Sequence, residues 1–243
     1  MKLTILGNNG PFPAAGGACS GYLISEGETN ILIDCGSGVL ANLQKFIRFD
    51  ELDAIILTHL HSDHISDMHV LKYAIQIKRK RGQMDKLLSV YAPPEPAEEY
   101  ARLDVKDAFA LNAVTADTKL KIGNISVKFI QMDHPFMDFA VTMECNGKKF
   151  AFTGDTSWNN AIISFAAGAD LLMLDAGLLE RDLTAGAAHL TASQCGAAAL
   201  EAGAKRLLLT HFWPEYDVND LLEEAHRKFP YVEAAEILNE YKI

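Results

Sequence analysis

The sequence predicts an α/β fold in which helices cover layered sheets, and two observations lead there. Short apolar runs of strand character alternate with helically spaced segments from residue 1 to residue 243. No linker-like or low-complexity stretch interrupts them, so one domain over residues 1–243 is expected. Composition agrees, because 49% hydrophobic and 22% charged residues is the balance of a globular chain that can bury a full core.

Residues 3–6, 21–25 and 30–34 read as strands separated by glycine-rich and Glu-Gly turns. Val39, Leu40, Leu43 and Phe46 share helical spacing, which predicts a helix over 39–47. A buried strand follows at 54–58, a helix at 68–77 and a strand at 87–91. After Pro93-Pro94 comes a polar helix over 96–109. Strands at 125–132, 139–145 and 149–153 open the second half, with Asn146-Gly147 as a two-residue hairpin turn. Helices at 159–167, 193–202 and 220–228 then alternate with strands at 171–175, 206–210 and 232–238.

Lys plus Arg total 22 against 32 Asp plus Glu, a net charge of -10, which excludes a fold-wide basic footprint for nucleic acid. The basic run Lys78-Arg79-Lys80-Arg81 follows a helix, where cations complement the carbonyl end; a homodimer edge or a phosphate-facing patch are its other uses. Cys19, Cys35, Cys145 and Cys195 show no C-x-x-C spacing and read as reduced residues of a cytoplasmic protein. Residues 1–7 lack the apolar core of a signal peptide, and no run of about 18 apolar residues predicts a membrane span.

The chemistry sits where strands stop. Apolar runs lead into Asp34, His59, His134, Asp155 and His211, and in open α/β architectures ligands bind beyond the carboxyl ends of strands. Thr58-His59-Leu60-His61-Ser62-Asp63-His64 is the densest piece. His59 and His61 can point from a loop at one cation, while Asp63 and His64, past the bend, reach a second. Three imidazoles and a carboxylate in one hexapeptide would need too many buried partners to be ordinary core. His134 and His211 supply one imidazole each, and Asp155 can bridge through its two oxygens. Two divalent ions are implied; Zn²⁺ suits this donor set, with Mn²⁺ or Fe as alternatives.

The hexapeptide, a lone His, Thr153-Gly154-Asp155-Thr156 and a late strand-end His together resemble the metallo-β-lactamase superfamily. That resemblance implies a four-layer αβ/βα sandwich with a dinuclear site at one edge. It implies one metal on His59, His61 and His134, a second on Asp63, His64 and His211, and Asp155 bridging.

Thr191 and Gln194 before the Ala-rich run 197–200 form a capping-box signature, which holds His189 just ahead of a helix N-terminus. The His189-Leu190-Thr191 element is similar to that of the ribonuclease Z-like phosphodiesterase branch. The resemblance then implies a hydroxide shared by the metals that attacks phosphorus, oriented by Asp63, with His189 assisting the departing oxygen. The long Gly/Pro-rich arm by which ribonuclease Z grips tRNA has no room between His134 and Asp155. Leu174-Asp175-Ala176-Gly177 also stands where that family has a Glu-containing strand end. A small-molecule or short phosphodiester is therefore expected rather than full-length tRNA: a cyclic nucleotide, a short oligonucleotide or a phospholipid headgroup. The same scaffold also hydrolyses lactones, carboxylic esters and thioesters, which is the competing reading.

Several residues keep two readings. The loop from Gly7 to Gly17 is a lid or a connector. Asp34 and Asp175 either hydrogen-bond ligand imidazoles or form turns. Trp158 and Trp213 wall the pocket or pack in the core. His69 and His226 read as surface residues.

Overall fold

A computed structural model describes residues Met1–Ile243. The first sheet holds β1 (Lys2–Gly7), β2 (Gly21–Glu26), β3 (Thr29–Ile33), β4 (Ala54–Ile56), β5 (Leu88–Ala92) and β6 (Phe109–Ala113). The second holds β7 (Lys119–Ile122), β8 (Ile125–Met132), β9 (Asp138–Cys145), β10 (Lys148–Phe152), β11 (Leu171–Asp175), β12 (Leu207–Thr210) and β13 (Val232–Ala234). The last strand, β14 (Glu240–Lys242), crosses back to pair with β1.

Strand order is β14-β1-β2-β3-β4-β5-β6 in one sheet and β13-β12-β11-β10-β9-β8-β7 in the other. Each sheet is antiparallel on one side and parallel on the other, so the two halves echo each other. The helices are α1 (Val39–Leu43), α2 (Ser62–Ile65), α3 (Met68–Lys80), α4 (Ala97–Leu103), α5 (Ala161–Ala166), α6 (Ala192–Glu201) and α7 (Val218–His226).

Period-two alternation builds the layers. Ile31 and Ile33 of β3 meet Phe150 and Phe152 of β10 in a core between the sheets, whereas Leu32 turns outward to Leu71 and Ile75 of α3. In the second sheet Leu208 joins the central core, while Leu207 and Leu209 face Ala198 and Ala199 of α6. Both faces of each sheet are thus covered, which explains why these strands read as continuous apolar runs. Fully burying each such Leu or Ile contributes about 1.5–3 kcal/mol. The result is the four-layer αβ/βα sandwich.

Asn146 and Gly147 have φ of +52° and +72°, the left-handed pair a tight hairpin turn demands, and Cys145 pairs with Lys148 across it. Other expectations need correction. The helix expected at 39–47 stops at Leu43, and the one expected over 96–109 ends at Leu103. Phe109 instead opens β6, an edge strand whose Asn112 and Ala113 are exposed, so its sequence lacks a strand pattern. The short edge strands β7 and β14 were not foreseen for the same reason. The strand expected over 232–238 ends at Ala234, and Leu238 turns the chain at φ +71° toward β14.

The basic run ends α3, about 20 Å along the helix axis from its start beside the hexapeptide. Lys78 Nζ lies 2.8 Å from Asp50 Oδ2 and 4.8 Å above the Phe49 ring, so this cation braces the helix end. No helix is long and apolar enough to cross a membrane.

Candidate metal centre and catalytic site

The chain folds so that loops at one edge of both sheets converge. After β4, Leu57-Thr58 delivers His59, and His61 caps the single turn α2, which carries Asp63 and His64. His59 and His61 thus lie on the loop and Asp63 and His64 past the bend, which here is a helical turn. From the second sheet, β8 leads to His134, β10 to Asp155 and β12 to His211.

His59 Nε2 lies 2.9 Å from His61 Nδ1, which is 3.1 Å from His134 Nε2. His59 Nδ1 lies 2.9 Å from Asp138 Oδ2, and His134 Nδ1 lies 3.2 Å from the Ala188 carbonyl. The Ala188 carbonyl only accepts, so His134 Nδ1 carries a proton and its Nε2 presents a lone pair; burial and Asp155 push Asp138 well up, and an ionised Asp138 sets His59 the same way. Three nitrogens then converge with at most one proton among them, an arrangement that a cation satisfies.

A second cluster adjoins it. Asp63 Oδ2 lies 3.5 Å from His64 Nε2 and 3.2 Å from His211 Nε2. Asp155 Oδ2 stands between the clusters, 3.1 Å from His211 Nε2, 3.4 Å from His64 Nε2 and 3.8 Å from His59 Nε2. His64 Nε2 and Asp155 Oδ1 are buried without hydrogen-bond partners. Two orphaned polar atoms in a His/Asp cage fit divalent cations, and these residues could hold them.

Electrostatics point the same way. Burial pushes His59 well below the usual imidazole range, and burial with His134 lowers His61 to about 4. For His64 burial opposes the charge, yet Asp155 and Asp34 push its pKa well up. Burial likewise opposes ionisation of Asp155, but His211 and His64 hold it well below the carboxylate range. The clustered carboxylates call for positive charge.

Buried groups fix the imidazoles from behind. Asp34 Oδ2 lies 2.8 Å from His64 Nδ1, and its carboxylate also accepts from Thr58 N at 2.8 Å and Thr58 Oγ1 at 2.9 Å. Asp175 Oδ2 lies 2.8 Å from His189 Nδ1, and its Oδ1 lies 3.4 Å from His211 Nδ1. Both carboxylates therefore contact ring nitrogens. Asp34 and His211 have φ of +56° and +58°, left-handed conformations that cost about 1–3 kcal/mol each and are held by these contacts.

Asp138 was missed by sequence reasoning. One of its oxygens faces His59 Nδ1 and, at 3.2 Å, accepts the amide of Asp155. A Cβ on Gly154 would sit 2.5 Å from its other oxygen. The Thr-Gly-Asp-Thr glycine, at φ +65°, thus makes room for a carboxylate distant in sequence. No local pattern marks Asp138.

His189 precedes α6, whose capping box is present: Thr191 Oγ1 accepts from Gln194 N at 3.1 Å, and Gln194 Oε1 from Thr191 N at 2.9 Å. Its ring centroid is 5.1 Å from that of His211 and 5.5 Å from that of His134. Burial opposes its protonation, but Asp175 raises its pKa above the ordinary value. A cleft of about 490 Å³ opens beside it, walled by His134, Trp158, Leu183 and Gln194. Trp158 therefore borders the cleft, whereas Trp213 packs edge-on against Phe12 at 5.3 Å. A Cβ on Gly10 would lie 1.9 Å from His211 Nε2, so the glycine-rich loop backs that ring. His226 is exposed, while His69 is half-buried in α3.

Comparison with known proteins identifies the family. A probable metallo-hydrolase of Bacillus subtilis, YhfI, is 34% identical over 92% of this chain and 91% of its own. The crystal structure of the metallo-β-lactamase fold protein YhfI superposes with a TM-score of 0.93, covering 99% of this chain and 98% of that one at 32% identity. A ribonuclease Z of Ignicoccus hospitalis is 24% identical, over 100% of this chain and 98% of its own. The family model described as a β-lactamase superfamily domain matches residues 29–212, which span β3 to the last strand-end histidine. The chain belongs to the metallo-β-lactamase superfamily.

Proposed function

We propose that this metal-dependent hydrolase cleaves small phosphodiesters. His189 carries the reading. It belongs to neither of the two triads, is 29% exposed, faces the cleft, and is oriented by Asp175. A phosphodiester brings its own negative charge to this imidazole, whose protonated form Asp175 favours, and then a departing oxygen to protonate; a lactone or thioester arrives uncharged.

His59, His61 and His134 would hold one divalent cation, and Asp63, His64 and His211 a second, with Asp155 shared. When bound, such a pair supplies charge that polarises a phosphoryl oxygen and eases deprotonation of water. Zn²⁺ suits the donors, and Mn²⁺ or Fe can use the same set.

The chain's own groups do the rest. Asp63 orients the attacking water, with one carboxylate oxygen turned to His211 and His64. With Nδ1 facing Asp175, His189 has Nε2 free to give a proton to the departing oxygen. The similarity to a ribonuclease Z supports phosphodiester chemistry. Between His134 and Asp155 lie only the β9–β10 hairpin and its flanking turns, which supports a small substrate.

Metal analysis of the purified protein followed by assay against bis(p-nitrophenyl) phosphate, a lactone and a thioester tests the reading. The phosphodiester should turn over fastest. Faster hydrolysis of the lactone or thioester overturns it.

A further inference from the structure

The cleft beside His189 receives whatever alcohol departs, if His189 protonates the departing oxygen; the inference below rests on that phosphodiester reading. Its charged and polar lining is specific. Asp133 immediately precedes His134 and is exposed to the cleft. Ser157 locks it in place: Ser157 Oγ donates to Asp133 Oδ2 at 2.8 Å, and Ser157 N to the Asp133 carbonyl at 2.9 Å. Gln194 has its amide oxygen engaged by Thr191 N, which leaves its NH₂ for the cleft. Trp158 and Leu183 give apolar surface. No Lys or Arg lines this space.

Proteins that bind a run of phosphates offset their charge with Lys and Arg along the path. Here the departing side offers a fixed carboxylate instead, in a protein of net charge -10. We propose that Asp133 is a specificity-determining residue that restricts the enzyme to phosphodiesters whose departing alcohol carries no further phosphate. The alcohol it accepts is uncharged or cationic: its planar or apolar part lies on Trp158 and Leu183, and an acceptor group meets the Gln194 amide. Substrates with a second phosphate on that side meet repulsion from Asp133 without a compensating cation.

The test uses the metal-loaded protein and three substrates: a dinucleoside monophosphate, the same compound with a 5′-terminal phosphate, and the same with a 3′-terminal phosphate. The wild type should prefer the unphosphorylated compound over at least one phosphorylated form by tenfold or more in kcat/KM. That preference should shrink as salt rises, and in Asp133→Asn it should fall at least fivefold. Metal content of Asp133→Asn, measured alongside, separates charge selectivity from disturbance of His134. Equal rates on all three substrates, or a preference that Asp133→Asn leaves intact, overturns the inference. Turnover of bis(p-nitrophenyl) phosphate with equal rates on the dinucleotides sinks the role of Asp133 alone. No turnover of any phosphodiester sinks the reading beneath it as well.

Discussion

Asp175 holds His189: its Oδ2 lies 2.8 Å from the ring Nδ1, which leaves the opposite nitrogen toward the cleft. The same carboxylate lies 3.4 Å from His211 Nδ1, so one buried group faces both an imidazole of a triad and the imidazole at the cleft.

Replacing His189 with Ala should lower kcat on a phosphodiester by about 10²–10⁴-fold, the usual worth of a positioned acid. Metal content should stay at the wild-type level. Unchanged turnover would remove His189 from the mechanism.

Asp155→Ala and His61→Ala should lose bound metal and activity together, since each removes a donor from a converging cluster. Zinc at about 1,000 times its Kd should stabilise the wild type by about 4.1 kcal/mol. At about 2–4 °C per kcal/mol for a chain of this size, that raises Tm by about 8–16 °C. Neither variant should show the full shift in a thermal melt.

Asp138→Ala should weaken metal binding by about 10–100-fold, the scale for groups that orient ligands. Asp138→Asn keeps an oxygen that can accept from His59 and from the Asp155 amide, and should lose less. Competition with a chromophoric chelator reads the difference; equal losses would show that the charge, rather than the acceptor, matters.

Gly10→Ala places a methyl 1.9 Å from His211 Nε2, and that ring is buried and cannot retreat. Circular dichroism should remain native while zinc stoichiometry falls. Full stoichiometry would mean that the loop after β1 can move aside.

Far from the centre, Asp170 accepts from Lys148 Nζ at 3.0 Å, Lys205 Nζ at 2.9 Å and Lys149 N at 2.9 Å. Burial opposes its ionisation, but Lys205 and the Lys149 amide hold its pKa below the carboxylate range. A folded pKa below the unfolded value of about 3.9 stabilises the protein above that pH and loses its contribution as pH falls through the folded value. Asp170→Asn should therefore lower Tm by a constant amount from pH 8 to about pH 5, and the gap should narrow below about pH 4. A gap that widens in acid would refute this assignment.

Much of the centre is legible in the sequence because cations need uncommon side chains at fixed intervals, and His59, His61, Asp63 and His64 supply them within one short segment. His134, Asp155 and His211 follow because each ends an apolar strand. Asp138 was not legible, because its role depends on which distant residue packs beside it and it sits in no pattern of its own. The glycine-rich loop was visible as a lid or a connector, but not that Gly10 in it backs His211. The buried strands read easily from their continuous hydrophobicity, whereas β6, β7 and β14 lie at or near sheet edges, where partial exposure erases that signal. Phe109 was placed in a helix because the polar residues before it mask the strand it begins.

Each triad draws on the segment after β4, while His134, Asp155 and His211 hang from the opposite sheet. Ions captured there would act as a clasp between two half-molecules. Stripping them with a chelator should therefore loosen amide protection on both sides of the seam, far beyond the loops that touch the ions.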